Sequence, residues 1–210
     1  MNDESVRSSE QPLNRRSRRQ AEVRERLIRS ALRLFAERGF VATTVEDITN
    51  LADVGKGTFF NYFPSKEHIF AARATGQAER VERFVAQARG SRESMGESFY
   101  RLAVSLSEGF EANAAIFHSI VIAVSSNELV RGMLSHALEQ ARKPLAELLS
   151  LGQQRGEIRS GLLPADLALE FQQAFFGTVF LWSLAPSRPL NDCLKETGDF
   201  LWSAIGKGSE

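Results

Sequence analysis

The sequence has a single cysteine, Cys193, among its 210 residues, so an internal disulfide framework is excluded. Its most apolar stretch, residues 174–185, is too short to cross a hydrocarbon core about 30 Å thick. Residues 1–20 are polar and lack the apolar segment of a signal peptide. Alternation of Val, Ile and Thr, which is typical of strands, is almost absent. We therefore expect a cytoplasmic, all-α protein that does not enter the membrane.

Residues that support catalysis or metal binding are also scarce. The three histidines, His68, His118 and His136, have no metal-ligand spacing. The sequence contains no evident paired carboxylates, activated nucleophile or phosphate-binding loop. We expect no enzymatic activity, no metal and no cofactor.

The chain has no net charge, with 26 basic and 26 acidic residues, but the charges are unevenly distributed. Residues 12–73 contain 12 Lys and Arg against 7 Asp and Glu, whereas residues 74–210 contain 13 against 16. A local excess of basic residues can contact phosphates even when the remainder of the chain balances it. This distribution favours nucleic-acid binding by the N-terminal part.

Residues 44–63 have two short helical patterns separated by a break at residues 53–55. Thr43 or Thr44 can cap the first pattern. Two helices joined by three or four residues form a helix-turn-helix, whose second helix fits the DNA major groove. The positions with helical spacing are Val45, Ile48, Leu51 and Ala52, followed by Phe59, Tyr62 and Phe63.

The whole chain has about nine helical patterns and no internal repeat. Helix 1 is predicted from near Ser17 to Gly39, and helix 4 from the cap Ser65 to about Gln87 or Arg89. Helix 7 is predicted over about 128–154 with a kink at Pro144, helix 8 from Pro164, and helix 9 over about 190–205. The predicted domains are a disordered basic arm (1–16), a helix-turn-helix domain (17–64) and an effector-binding and dimerisation domain (65–210), with helix 4 as connector.

Two of these segments have alternative interpretations. The arm either solubilises the chain or contacts DNA, as homeodomain arms do. Helix 8 is apolar nearly all round, so it either lies at the centre of a large monomer or pairs with helix 9 and their symmetry mates in a four-helix bundle. The dimer interpretation places Phe180, Trp182, Leu194 and Leu201 at the interface.

Residues 18–72 resemble the N-terminal domain of the TetR/AcrR family of transcriptional regulators. The resemblance consists of four motifs in fixed register: Ala31-x-x-Leu34-Phe35-Ala36-x-x-Gly39-Phe40, Thr43-Thr44-Val45-x-Asp47-Ile48, Ala52-x-Val54-x-x-Gly57-Thr58-Phe59-Phe60-x-Tyr62-Phe63 and Ser65-Lys66-Glu67. Beyond residue 90 only the number and length of the helices are similar.

The resemblance implies a homodimer that binds a palindromic operator in double-stranded DNA, with a three-helix reader followed by a helical effector domain. Three positions depart from the family pattern: Phe60 replaces a usual Tyr, Asp53 a usual Gly, and Gly55 a common Ser cap. Phe59 and Phe63 are expected in the core, and Lys56 could instead be a solvated surface residue. The implied DNA-contacting residues are Thr44, Lys56, Gly57, Thr58, Phe60, Asn61, Tyr62 and Lys66.

The family also implies a small-molecule pocket among helices 4 to 8. The 15 Phe against two Tyr suggest an apolar effector, although a Phe stripe is more often ordinary core. We therefore expect a ligand-responsive repressor; an activator, a ligand-independent regulator and a helical protein-interaction module are the alternatives. The predicted pocket residues are Phe84, Phe99, Phe110, Phe117, His118, Val121, Phe175 and Phe176.

Overall fold

The computed structural model describes residues 15–108, 110 and 113–207. Over these residues the chain forms nine α-helices and no β-strand, which confirms the predicted all-α class. Within the same residues, none of the helices has the length and apolarity needed to span a bilayer. The helices are α1 (Arg15–Arg38), α2 (Val45–Leu51), α3 (Lys56–Phe60), α4 (His68–Arg89), α5 (Met95–Ser107), α6 (Ala114–Ser126), α7 (Glu128–Gln154), α8 (Pro164–Leu184) and α9 (Leu190–Ile205).

Two helix starts differ from the predictions. α1 already includes Arg15, the first described residue, so Arg15 and Arg16 are helical rather than part of a disordered arm, and Ser17 does not cap the helix. Arginine is a good helix former, which agrees with helix at these two positions. The rest of the predicted arm, residues 1–14, lies outside the described residues.

The predicted start of helix 4 at Ser65 is also too early, because α4 begins at His68. The amide of His68 donates to the Ser65 carbonyl at 3.2 Å, and the Ser65 hydroxyl lies 3.0 Å from Nδ1 of His68. These bonds close a tight turn after Pro64, which delays the first regular α-helical turn. The end of α4 at Arg89 agrees with the prediction.

The N-terminal helices pack around one aromatic core. The rings of Phe35, Phe40 and Phe70 lie 5.0 to 5.2 Å apart, and Phe59 of α3 is fully buried in the same core. We call α1, α2, α3 and this core the reading head. α2 and α3 are too short to be stable alone, so this packing is what fixes their orientation.

The remaining helices form a second region, which we call the body. α7 runs unbroken through Pro144 and packs against both α4 and α8, while α9 packs against α5 and α8. The body also completes the reading head, because Ala123 of α6 and Val130 of α7 are fully buried in its core. The packing of the head therefore extends well past residue 64.

Candidate nucleic-acid interface and effector cavity

The first motif helix begins with a complete capping box. The amide of Asp47 donates to the Thr44 hydroxyl oxygen at 3.1 Å, while the amide and hydroxyl of Thr44 donate to the Asp47 carboxylate at 2.9 and 2.6 Å. These hydrogen bonds, above all that from the Thr44 side chain, lower the pKa of Asp47. Thr44 is exposed but its hydroxyl already has partners, so its first role is to fix the start of α2.

The turn between α2 and α3 is built around Asp53. Its φ is 51°, which makes it the one non-glycine residue with positive φ in the described part of the chain. Aspartate tolerates this left-handed region better than most residues, although glycine adopts it more easily. Gly55 then caps α3 without a side-chain hydrogen bond. The family departures at both positions are therefore compatible with the turn.

The second motif helix, α3, and the turn that follows it have one buried and one exposed face. Phe59 is fully buried and Phe63 is 3% exposed, as expected of core residues. Lys56, Gly57 and Asn61 are exposed, and Phe60 is 50% exposed, whereas Thr58 and Tyr62 are partly buried. The exposed face carries a cation, an amide and an open glycine, which are groups that can approach phosphates and base edges.

Lys66 has a different environment from the one predicted. Its ammonium group donates to the carbonyl oxygens of Phe40, Val41 and Thr43 at 2.8, 3.2 and 2.7 Å, and lies 4.5 Å from the centre of the Phe40 ring. An ammonium has three donors, so all are used. Burial lowers the pKa of Lys66, with Glu67 opposing this effect. Lys66 thus fastens the α1–α2 turn to the segment before α4.

A cavity of about 150 Å³ lies in the body between α4, α5, α6, α7 and α8. Its wall is apolar except at three side chains, Arg73 and Gln77 of α4 and Gln172 of α8. Five of the eight predicted pocket residues line it: Phe99, Phe110, Phe117, Phe175 and Phe176.

Phe84, His118 and Val121 do not line this cavity, which corrects the predicted pocket. Phe84 packs beside α5, where the Arg101 guanidinium lies 5.7 Å from its ring centre. Nε2 of His118 lies 3.0 Å from the Ser183 hydroxyl of α8. Val121 packs in the cluster that contains Val179. On α6 the cavity-facing residues are Phe117 and Ile120, so His118 and Val121 occupy the neighbouring helix face.

Sequence reasoning missed the polar residues of the cavity, although α4 contains a signal for them. Phe70, Ala74, Gln77 and Val81 all line the cavity and follow helical spacing of four, three and four. A glutamine within such an apolar stripe marks a polar group that faces the interior. The rest of the lining was also missed, chiefly Arg73, Leu102, Leu106, Leu134, Leu138, Phe171 and Gln172.

The structure also changes the expected dimer interface. Trp182 and Leu194 are only 8% and 4% exposed and belong to the core of the same chain, so they are not available to a partner. The indole N–H of Trp182 donates to the Arg188 carbonyl at 2.8 Å. Phe180 is 39% exposed and Leu201 is partly buried. The large exposed apolar residues of α8 and α9 in this region are Phe180, Leu181, Leu184 and Phe200.

Two contacts join the cavity to the reading head. The buried hydroxyl of Ser119, on α6, donates to the Phe35 carbonyl of α1 at 2.7 Å. Phe70 lines the cavity and also contacts Phe35 and Phe40 in the core of the head. The wall of the cavity and the base of the reading head therefore share Phe70, and the Ser119 bond ties α6 to α1.

A helix-turn-helix whose short second helix is exposed, with a helical body behind it, is an arrangement typical of DNA-binding transcriptional regulators. Residues 27–72 match the model of bacterial regulatory proteins of the tetR family. The repressor DhaR of Mycobacterium sp. (strain GP1) is 29% identical over 153 residues, which are 71% of this chain and 76% of DhaR. The chain belongs to the TetR family.

Solved structures of the family have the same architecture. The FadR repressor of Thermus thermophilus, in complex with lauroyl-CoA, has a TM-score of 0.60 and 28% identity, covering 85% of this chain and 92% of that one. The FadR regulator of Bacillus subtilis, in complex with stearoyl-CoA, has a TM-score of 0.73 and 21% identity, covering 86% and 98%. At 21% identity, the match to the Bacillus subtilis structure shows only that the two chains share a fold.

Proposed function

We propose that this chain is a repressor that binds a palindromic operator as a homodimer and is released when an effector with a long apolar chain fills the body cavity. The observation that carries the proposal is the position of Phe70. It contributes one side chain to both the cavity wall and the aromatic core of the reading head. A ligand that displaces this ring would favour a different arrangement of the head, which is the requirement for coupling two sites.

The DNA contacts follow from exposure and chemistry on α3. Lys56 supplies charge, Gly57 permits close approach of the backbone, and Asn61 can bond to base edges. Tyr62 and Thr58 contribute hydroxyl groups at the margin of this face, and Phe60 packs apolar surface where the family usually has a hydroxyl. Thr44 completes the set from the start of α2. We assign Lys66 a positioning role, since its donors are occupied.

The homodimer is proposed to form through α8 and α9. Phe180, Leu181, Leu184 and Phe200 expose apolar side chains on these helices. Leu201 lies beside Phe200 and would be covered by the same contact. Several large apolar side chains exposed on two packed helices are typical of an interaction surface. Light scattering at micromolar concentration is expected to give twice the mass of one chain, and a monomer would contradict the proposed assembly.

The apolar effector is supported by the cavity lining and by one relative. The cavity is walled almost entirely by aromatic and aliphatic side chains. The FadR repressor of Thermus thermophilus was solved with lauroyl-CoA. We extend only one feature of that ligand, its long apolar chain, to this protein.

A mobility-shift assay on the DNA upstream of the chain's own gene tests the proposal. The Lys56→Ala/Tyr62→Ala double variant is expected to weaken specific binding at least ten-fold, since lost base or phosphate contacts typically cost about 1 to 3 kcal/mol each. Lys207→Ala, an exposed lysine at the far end of the chain, serves as the charge control. A specific shift that is unchanged in the double variant would contradict the assigned reading face.

Addition of lauroyl-CoA to the same DNA complex tests the response to effector. We expect release of the wild type and no release of Ala141→Phe, which fills the cavity from α7. Release that persists in Ala141→Phe would place the effector elsewhere. Tighter DNA binding on addition of lauroyl-CoA would favour an activator or co-repressor mode.

A further inference from the structure

The polar side chains of the body cavity differ in what they offer a ligand. Nη2 of Arg73 donates to the Glu108 carbonyl at 3.1 Å, and Nε2 of Gln172 donates to the Leu138 carbonyl at 2.8 Å. Both residues are thus tied to the protein through donor atoms. Gln77 is tied in the same way, because its Nε2 donates to the Leu106 carbonyl of α5 at 2.9 Å.

This last hydrogen bond fixes the orientation of the Gln77 amide. A carbonyl oxygen can only accept, so the atom facing Leu106 must be the amide nitrogen rather than the oxygen. The other terminal atom of the amide, Oε1, therefore does not face the Leu106 carbonyl. It is buried and has no hydrogen-bond partner among the described residues. Buried polar atoms without a partner are rare and are costly to maintain.

Gln77 occupies a position where an apolar residue would be expected. It lies on the α4 stripe between Ala74 and Val81, which also line the cavity. A leucine or methionine there would complete the apolar wall without leaving an acceptor unpaired. Gln77 therefore adds one buried acceptor without a partner to the wall of a largely apolar cavity.

We propose that the effector carries a hydrogen-bond donor, such as a hydroxyl group, that bonds to Oε1 of Gln77 while its apolar chain fills the rest of the cavity. The proposal rests on the proposed function, because it specifies the ligand of the same cavity. An ionised carboxylate offers only acceptors and would face Oε1 unfavourably. Ligand selection would thus depend on a donor at one end of an apolar molecule.

Two isomers that differ only in their hydrogen-bonding group test the proposal by calorimetry on the full chain without DNA. Octanol has a hydroxyl donor, whereas heptyl methyl ether has the same composition and only an acceptor. Wild-type protein is expected to bind octanol about ten-fold or more tightly, because pairing a buried acceptor is worth roughly that factor. Equal affinity for the two isomers would overturn the proposal and leave the apolar cavity site intact.

Variants assign the preference to one atom. Gln77→Met keeps the length of the side chain and removes the acceptor, so we expect the isomers to bind within about two-fold of each other. Gln172→Met, the matched control on α8, is expected to keep the wild-type preference. A preference retained by Gln77→Met would overturn the proposal, as would octanoate binding more tightly than octanol, since this would indicate recognition by Arg73.

A further outcome separates this proposal from the function on which it rests. If neither isomer binds and Ala141→Phe behaves as the wild type with lauroyl-CoA, the cavity is not the effector site and both proposals fail. If Gln77→Met does not fold, as judged by its circular dichroism, the comparison of isomers on wild-type protein still decides the question.

Discussion

The reading head and the body use the same residue type, phenylalanine, in opposite ways. In the head, Phe35, Phe59 and Phe63 are buried and pack ring against ring around α1. In the body, Phe175 and Phe176 are only partly buried and border a cavity. A filled aromatic core holds two short helices in one orientation, whereas a cavity with aromatic walls can respond to a ligand. The difference separates a filled aromatic core from a cavity with room for a ligand.

The largest expected effect distinguishes these two uses of phenylalanine. Phe59→Ala should destabilise the head by about 3 to 5 kcal/mol, because the side chain is fully buried and leaves a void. Phe176→Ala should cost less than about 2 kcal/mol, since its side chain is only partly buried and loses less apolar burial on truncation. Urea unfolding followed by circular dichroism measures both. Similar losses of stability in the two variants would contradict the comparison.

Lys66 provides the next test, because it stabilises the head without facing DNA in our assignment. Lys66→Met should lower the free energy of unfolding by about 1.5 to 3 kcal/mol, the value of hydrogen bonds made by a charged donor. DNA binding should weaken without a change in its salt dependence. Lys56→Ala, the matched comparison, should reduce the slope of log K against log salt by about 0.9 for each lost phosphate contact. A smaller slope of log K against log salt in Lys66→Met would instead support the phosphate contact predicted for Lys66 from the sequence.

The smallest expected effect concerns the cap of α2. Thr44→Ala should destabilise the head by about 1 kcal/mol, the usual value for an N-cap. Because the folded pKa of Asp47 is lowered, its contribution is present above the unfolded pKa of about 3.9 and is lost as the pH falls through the folded value. Wild type and Asp47→Asn should therefore converge in thermal stability between pH 7 and pH 3. A difference that does not shrink between pH 7 and pH 3 would exclude the ionised carboxylate as its source.

Much of the fold could be predicted from local patterns. α7 and α9 begin and end at the predicted residues and α8 begins at its predicted residue, since Pro164, Leu190 and the flanking turns mark these limits in the sequence. The two short helices of the motif were also predicted, with Phe59 and Phe63 in the core. These features depend on neighbours within a few positions, so spacing and capping residues are sufficient to find them.

Features that depend on contacts between distant residues could not be predicted in this way. Lys66 bonds to carbonyls 23 to 26 positions earlier, and nothing in the local sequence reveals that its donors are occupied. Trp182 was assigned to a partner surface but lies in the core of its own chain. The place of Gln77 within the apolar stripe of α4 indicates a polar group in the interior. Only the position of Leu106 shows which amide atom is unpaired.

The sequence by itself determined the class of protein, the helix-turn-helix and most of the helix limits, because short-range spacing, capping and charge distribution govern them. Only the tertiary structure decided which aromatic residues fill a core and which border a cavity. It also decided that Phe70 belongs to both regions, because that depends on how α1, α4 and α6 pack. The physical reason is that burial and hydrogen-bond partners are properties of the assembled helices rather than of any one helix.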